Sequence, residues 1–407
     1  MKGVEEQLKA LRRGVVEILS EEELKAKLKK SLESGKPLRV KLGIDPTSPD
    51  VHLGFTVPLR KLKVFQELGH QVVIIIGNYT GMVGDPSGKN STRPQLSEET
   101  VMANAKYYKE QIFKILDEKK TEVVYNGDWF SKFSFNDVIS LASKITVASL
   151  LEHDYFQNRY KNGIPISLHE FIYPLMQGWD SVEVKADIEM GGTDQRFNII
   201  VGRALQKENG QEAQVALFMP ILAGLDGKAK MSKSLGNYIG ISETSKDMFG
   251  KAMSIPDVLM ESYFELLTEI PLEEIARLKK GIVDGSLHPR AVKVTLAKEL
   301  VKMYHGAEAA EKEALEFDRV FSDKQLPSDI PEVCISKEEL SEGKIWIVKL
   351  ITLAGLASGR NEAGRLVDQG AVSLDEIKVD SSKDAVLVKD GSILKVGKRK
   401  FAKIKFK

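Results

Sequence analysis

The chain has 407 residues, 42% of them hydrophobic and 29% charged, with a formal net charge of +1. This describes a globular protein with room for two or three domains. No stretch approaches the roughly 20 apolar residues of a membrane span, and Met1-Lys-Gly-Val-Glu-Glu-Gln lacks the apolar core of a signal peptide. One cysteine, Cys334, rules out an internal disulfide and fits a reducing, cytoplasmic setting; no Cys/His spacing suggests zinc.

Residues 1 to about 36 read as two helices. Ser20-Glu-Glu-Glu23 is a capping box that opens the second, and Leu24, Leu28 and Leu32 give it one apolar stripe. Leu38 to Ile44 then reads as a strand. It turns through Asp45-Pro-Thr-Ser-Pro-Asp50 into a helix carrying His52-Leu-Gly-Phe55 in its first turn, with Gly69 as its cap. A strand feeding a polar loop at a helix N-terminus favours phosphate through free N–H groups and the helix dipole. His52 adds a donor, and Gly54 permits close approach of a ligand to the backbone.

Gln71-Val-Val-Ile-Ile-Ile-Gly77 is a continuous apolar run, as in a parallel strand buried on both faces. The loop that follows, Asn78 to Arg93, carries glycines, Asp85, Lys89 and Arg93. Ligands bind at the carboxyl ends of parallel strands, which sets Asp45 and Asp85 on one crevice. A helix from about Ser97 to Glu118 and a strand over Thr121–Tyr125 continue the alternation. Residues 127 to about 183 are mostly helical and interrupt it. Within them Tyr173, Gln177 and Asp180 stand at i, i+4, i+7 on one helical face, a polar row that is costly to bury without a ligand or partners.

A strand at Ala186–Met190, the turn Gly191-Gly-Thr-Asp-Gln195, a helix to Asn209 and a strand at Ala216–Leu222 follow. They deliver a Gly-rich loop containing Lys230-Met-Ser-Lys-Ser234. Two lysines and two hydroxyls between glycines suit a mobile clamp on a polyphosphate. The fold class expected is α/β: a doubly wound, Rossmann-like parallel sheet in residues 1–239 with a helical insertion at about 127–183. Residues 240–321 read as a helical domain and 322–342, with Pro327 and Pro331, as a linker. The last module, 343–407, reads as α+β and carries 14 Lys+Arg against 7 Asp+Glu, so that the remainder is acidic. A basic module on an acidic body points to a polyanionic partner. Its terminal stretch alternates Ile, Val and Phe with lysines, as a folded strand with one basic face does.

His-Leu-Gly-Phe and Lys-Met-Ser-Lys-Ser, in that order and far apart, resemble the two signatures of class I aminoacyl-tRNA synthetases. The usual forms are His-Ile-Gly-His and Lys-Met-Ser-Lys-Ser. The row Tyr173-x-x-x-Gln177-x-x-Asp180 resembles the amino-acid pocket of the tyrosyl-tRNA synthetase family in its bacterial form, and the resemblance runs over essentially the whole length. The last module resembles an S4-type RNA-binding domain.

The resemblance implies tyrosine activation by ATP, accompanied by Mg²⁺, and transfer to tRNA(Tyr). By it Asp180 accepts the substrate's phenol hydrogen, with Lys41 beside it. Tyr173, Gln177 and Asp85 hold the ammonium, Asp45 also belongs to the tyrosine site, and Gln195 meets the carbonyl end. His52, Thr47, Lys89, Arg93, Lys230 and Lys233 attend the phosphates. Gly54, Phe55, Gly192, Asp194, Met231, Ser232 and Ser234 complete the ATP site, with Asp194 at the ribose. Arg360, Arg365, Lys398, Arg399 and Lys400 are offered to tRNA. No protein-bound structural metal is implied, and a homodimer through the insertion is.

The chain departs from the family pattern at three places. Phe55 replaces the second His of the first signature, Leu42 stands where relatives carry a small polar or thiol group, and Lys41 stands where many carry a second tyrosine aimed at the phenol. Lys41 either donates to the phenol oxygen or points away. The competing functions are a tryptophanyl-type class I enzyme and a non-catalytic RNA-binding protein on the same fold.

Overall fold

The computed structural model describes residues 2–48, 50–87, 96–321, 330–397 and 400–407. Gln71–Ile76 forms the strand that its apolar run predicts, and Val72 through Ile76 are all buried. It belongs to a six-stranded sheet of β1 (Glu17–Leu19), β2 (Arg39–Ile44), β3 (Gln71–Ile76), β4 (Thr121–Tyr125), β5 (Ile188–Gly192) and β6 (Val215–Met219). The order is β1-β6-β5-β2-β3-β4. All neighbours are parallel except β1, which runs antiparallel to β6 at the edge. From β2 the chain winds outward through β3 to β4, then returns to lay β5 and β6 on the other side. The winding therefore reverses between β2 and β5, which opens a crevice at their carboxyl ends.

Three helices shape that crevice. The signature helix, Leu53–Glu67, leaves the β2 loop with His52 at its N-cap, and Gly69 beyond it takes a positive φ. The pocket helix, Tyr173–Glu183, packs against Arg196–Glu208. Their approach is close because Gly178 meets Gly202 at the crossing. The insertion before the pocket helix is helical as expected, with short helices at Phe135–Ala142, Val147–Leu151 and Asp154–Lys161.

The first compact unit runs from Met1 to Ala314, so the helices from Ser245 to His305 pack as part of it. Arg13 caps the Met260–Leu267 helix by donating to the carbonyls of Glu265 and Thr268, both at 3.1 Å. Ser20 caps Glu21–Ser34 through the Glu23 amide, as its sequence predicts.

The second unit, Leu315–Lys407, has its own core and a sheet of five strands. These are β7 (Glu332–Ile335), β9 (Val372–Leu374), β10 (Ile377–Lys378), β12 (Ile393–Val396) and β13 (Lys400–Phe406), in the order β10-β9-β12-β13-β7. A separate pair joins β8 (Lys344–Trp346) to β11 (Ala385–Leu387). Two helices, Ile347–Leu353 and Arg360–Asp368, accompany them. Residues 332–335 fall inside the stretch read as a linker, yet they form β7, parallel to β13. A four-residue strand beside a proline is too short to announce itself by alternation.

Candidate functional site

The crevice at the carboxyl ends of β2 and β5 is a cavity of about 580 Å³, a size suited to small-molecule ligands. Of the residues expected there, Asp45, Thr47, His52, Gly54, Phe55, Asp85, Tyr173, Gln177, Asp180, Gly192, Asp194, Gln195 and the whole run Lys230–Ser234 line it. They come from both sides of the winding reversal, so the fold gathers residues that the sequence holds far apart.

Asp180 is at the buried end, 3% exposed. Its carboxylate accepts the Trp129 indole N–H at 3.0 Å and the Asn126 amide at 3.3 Å. Burial pushes its pKa up to about 7, against the charge of Lys41 and these two hydrogen bonds. A carboxylate so poised favours a ligand that brings a hydrogen-bond donor. Around it runs a connected polar wall. Asn126 also donates to Thr80, Thr80 to Asp45 at 2.7 Å, and Tyr173 to the other oxygen of Asp45 at 2.8 Å. Across the crevice, Gln195 donates to Asp85 at 2.9 Å, and Asn198 bridges Gln195 and Gln177 through their amide oxygens. Two carboxylates, a phenol and two amides converging on one volume suit an ammonium group.

The other end is cationic. Lys233 lies 3.3 Å from Asp50 and donates to the Ser48 hydroxyl at 3.1 Å; Lys230 lies 3.9 Å from Asp194. His52 is neutral at pH 7: burial first, then the charges of Lys233 and Lys230, bring its pKa down to about 4. It can therefore give a phosphate one hydrogen bond but no charge. The helix N-terminus is less open than its sequence suggests. The Leu53 amide donates to Ile239 O, and the Gly54 amide to the thioether of Met231 at 3.3 Å. A thioether is a weak acceptor that a phosphate oxygen can displace. Met231 also ties the Lys-Met-Ser-Lys-Ser loop to the rest of the wall through its amide and Leu222 O.

Residues 33–322 match the model of the class I tRNA synthetases that handle tryptophan and tyrosine. The tyrosine–tRNA ligases of Moorella thermoacetica and Carboxydothermus hydrogenoformans are each 56% identical to the chain over 401 residues. These cover 98% of it and 96% and 98% of the respective relatives. The chain belongs to the tyrosyl-tRNA synthetase family. Among solved structures, a C-terminally truncated mitochondrial tyrosyl-tRNA synthetase of Aspergillus nidulans shares the fold at a TM-score of 0.63 and 22% identity, over 79% of this chain and 95% of its own. The Archaeoglobus fulgidus enzyme, solved with L-tyrosine, does so at 0.61 and 24%, over 77% of this chain and 100% of its own.

Within this family frame some expected residues stand elsewhere. Lys41 does not line the cavity: its ammonium is fully buried and donates to Gln177 O, Ser181 Oγ and Glu189. Of the two readings of Lys41, the structure takes the one in which it points away. Leu42 lines the cavity, and Phe55 packs edge-on against Tyr108 at 5.5 Å, so the place of the second His of the first signature is apolar wall. Lys89, Arg93, Lys398 and Arg399 lie outside the described residues. In the second unit Arg360 and Arg365 share a shallow depression with Trp346 and Gln369. Lys400 donates to Leu356 O, and Lys403 and Lys405 pair with Glu332 and Asp390. The basic strand forms, but three of its lysines have partners within the unit.

Asn126, Trp129 and Thr80 were missed. All three follow the carboxyl ends of β3 and β4, and Asn126-Gly-Asp-Trp129 begins directly after β4. The rule that placed Asp85 on the crevice reaches them too.

Proposed function

We infer that the chain is a tyrosine–tRNA ligase. It joins L-tyrosine to ATP as tyrosyl-adenylate and then passes the tyrosyl group to the 3′-terminal ribose of tRNA(Tyr). The observation that carries the specificity is Asp180, buried and poised as an acceptor in the wall of the same cavity that Lys230 and Lys233 line. The phenol of tyrosine satisfies it, whereas phenylalanine leaves a buried carboxylate short of a partner. Asp45, Asp85, Tyr173 and Gln177 take the ammonium, and Gln195 the carboxylate end.

In the first step a carboxylate oxygen of tyrosine attacks the α-phosphorus of ATP. A carbon-bound oxygen gains a bond to phosphorus, the α–β phosphoanhydride breaks, and pyrophosphate leaves with its electron pair. In the second, a ribose hydroxyl of the tRNA attacks the acyl carbon and AMP leaves. No side-chain nucleophile takes part. Catalysis is positioning and charge stabilisation: Lys230 and Lys233 meet the charge that grows on pyrophosphate, His52 and Thr47 add hydrogen bonds, and Asp194 holds the ribose. Lys89 and Arg93 join the phosphate set on the strength of the family pattern. Mg²⁺ would enter with ATP, held mainly by phosphate oxygens and water.

The second unit acts as an S4-like tRNA handle, with Arg360, Arg365, Lys398, Arg399 and Lys400 toward phosphates. Its support is the charge balance and the paired arginines of one helix. A homodimer forms through the insertion, where Phe135, Val147 and Leu168 are 80%, 59% and 78% exposed. A cytoplasmic setting is the reading that the single cysteine supports. ATP–pyrophosphate exchange run with tyrosine, tryptophan and phenylalanine tests the reading: exchange with tyrosine alone is expected, and equal exchange with tryptophan overturns it.

A further inference from the structure

Lys41 and Glu189 are register partners on the neighbouring parallel strands β2 and β5, where the winding reverses. Their side chains are fully buried and their charges meet at 2.9 Å. Lys41 Nζ also donates to Gln177 O at 2.8 Å and Ser181 Oγ at 2.7 Å. Glu189 in turn accepts the Ser181 hydroxyl at 3.0 Å, the Gln177 side-chain amide at 3.3 Å and the side-chain amide of Gln214.

An ion pair this deep is weak support for stability. Desolvation costs several kcal/mol per ion, and a well-packed apolar pair often serves a core as well. Its placement is more informative. Both partners hold the pocket helix at Gln177 and Ser181, which bracket Asp180. The charged groups bearing on Asp180 are Lys41 and Glu189 from the strands beneath it, and Asn126 and Trp129 give it neutral hydrogen bonds from the segment after β4.

We propose that Lys41 and Glu189 are positioning residues for tyrosine recognition: the pair locks the helical face that carries Gln177 and Asp180, and Lys41 supplies the positive charge that keeps Asp180 an anionic acceptor for the phenol. The proposal rests on the assignment of the tyrosine pocket. Burial works against ionisation of Asp180; Lys41 is the strongest influence opposing it, and Glu189 pushes weakly the other way. The pair therefore acts on Asp180 with net positive sign.

Signs make the idea testable. The readout is the acid limb of kcat/KM for tyrosine in pyrophosphate exchange, with the tyrosine-to-phenylalanine ratio alongside. Lys41→Met moves the limb to higher pH by about one unit and lowers the ratio by up to about tenfold. Glu189→Gln, which keeps shape and an acceptor, moves the limb to lower pH. Lys41→Met combined with Glu189→Leu leaves no buried charge unpaired. It replaces the single variant if that fails to fold, and its limb also moves up. A merely structural pair lowers activity in every variant without moving the limb. A folded variant with an unmoved limb, or displacement of Lys41→Met and Glu189→Gln in the same direction, overturns the proposal. Asp180→Asn separates the two layers. If it keeps the tyrosine preference, the pocket assignment itself is wrong; if it abolishes that preference while the limbs stay put, only the role of Lys41 and Glu189 falls.

Discussion

His70 shows how one buried side chain sets a stability limit far from the chemistry. Its Nδ1 accepts the Leu38 amide at 3.3 Å, and its Nε2 lies 2.8 Å from the Gln7 amide oxygen. Gln7 gives its own N–H to Lys2 O, so the oxygen is left as acceptor and His70 is the Nε2–H tautomer. Protonation at Nδ1 would cost the Leu38 bond, and burial brings the pKa down to about 4. Because the folded value is below the unfolded one, this stability is complete above about pH 6.5 and is lost as pH falls toward 4. At pH 5 the loss is about 2 kcal/mol. Denaturant midpoints at pH 7.5 and 5 check this: His70→Gln, less stable at pH 7.5, should show a shallower decline than wild type, and equal declines would remove His70 from the account. His52 carries a similar shift and keeps its share in both proteins.

Lys233 belongs to the same scale but to catalysis. It rests on Asp50 and Ser48, and in the proposed mechanism it meets pyrophosphate charge only as that charge develops. Lys233→Ala should therefore slow adenylate formation by about 10²–10³ with little change in tyrosine affinity. A burst rate equal to wild type would exclude it from the mechanism.

Among the elements, the pocket helix is the most constrained. One face presents Tyr173, Gln177 and Asp180 to the cavity, and Gly178 lies against the neighbouring helix. A Cβ on Gly178 would meet Gly202 N and Leu205 Cδ1, each at 3.0 Å. The backbone nitrogen cannot give way by a rotamer change. Gly178→Ala should lower the melting temperature despite alanine's better helix propensity, since overpacking costs about 1–3 kcal/mol against about 1 gained. It should also raise KM for tyrosine, because the helix must shift toward the cavity. A higher melting temperature would mean that the two helices separate freely.

For the whole molecule, the division near residue 315 sets where a truncation can be made. Cutting at 343 would leave β7 without its partner β13, so the cut belongs at residue 322. The protein lacking 322–407 should keep tyrosine activation, since every small-substrate residue assigned lies in the first unit. It should lose most tRNA charging. Counterion release makes the full chain's tRNA affinity fall steeply with salt, and the truncated chain's less so. Equal retention of exchange and charging would reduce the module to a solubilising tail. The dimer is checked by sedimentation: a fully active monomer at micromolar concentration would leave the exposed Phe135 and Leu168 unexplained.

Periodicity and local chemistry are properties of neighbours in sequence. That is why β2 and β3, the N-cap at Ser20, the i, i+4, i+7 row of the pocket helix and both signature loops were legible without coordinates. A lysine's direction is not such a property. Lys41 turns inward because β2 and β5 pair, bringing it to Glu189 across 148 residues of chain, and no local pattern encodes that pairing. Asn126 and Trp129 reach Asp180 for the same reason, across more than 50 residues and through the helical insertion folded between them. The short strands β1 and β7 exist only as edges of sheets whose other members come from distant sequence. In this protein the residues that line the cavity were written as motifs, and the buried groups behind them were decided by packing. Burial and desolvation act on whatever the fold brings together, however far apart it lies in the chain.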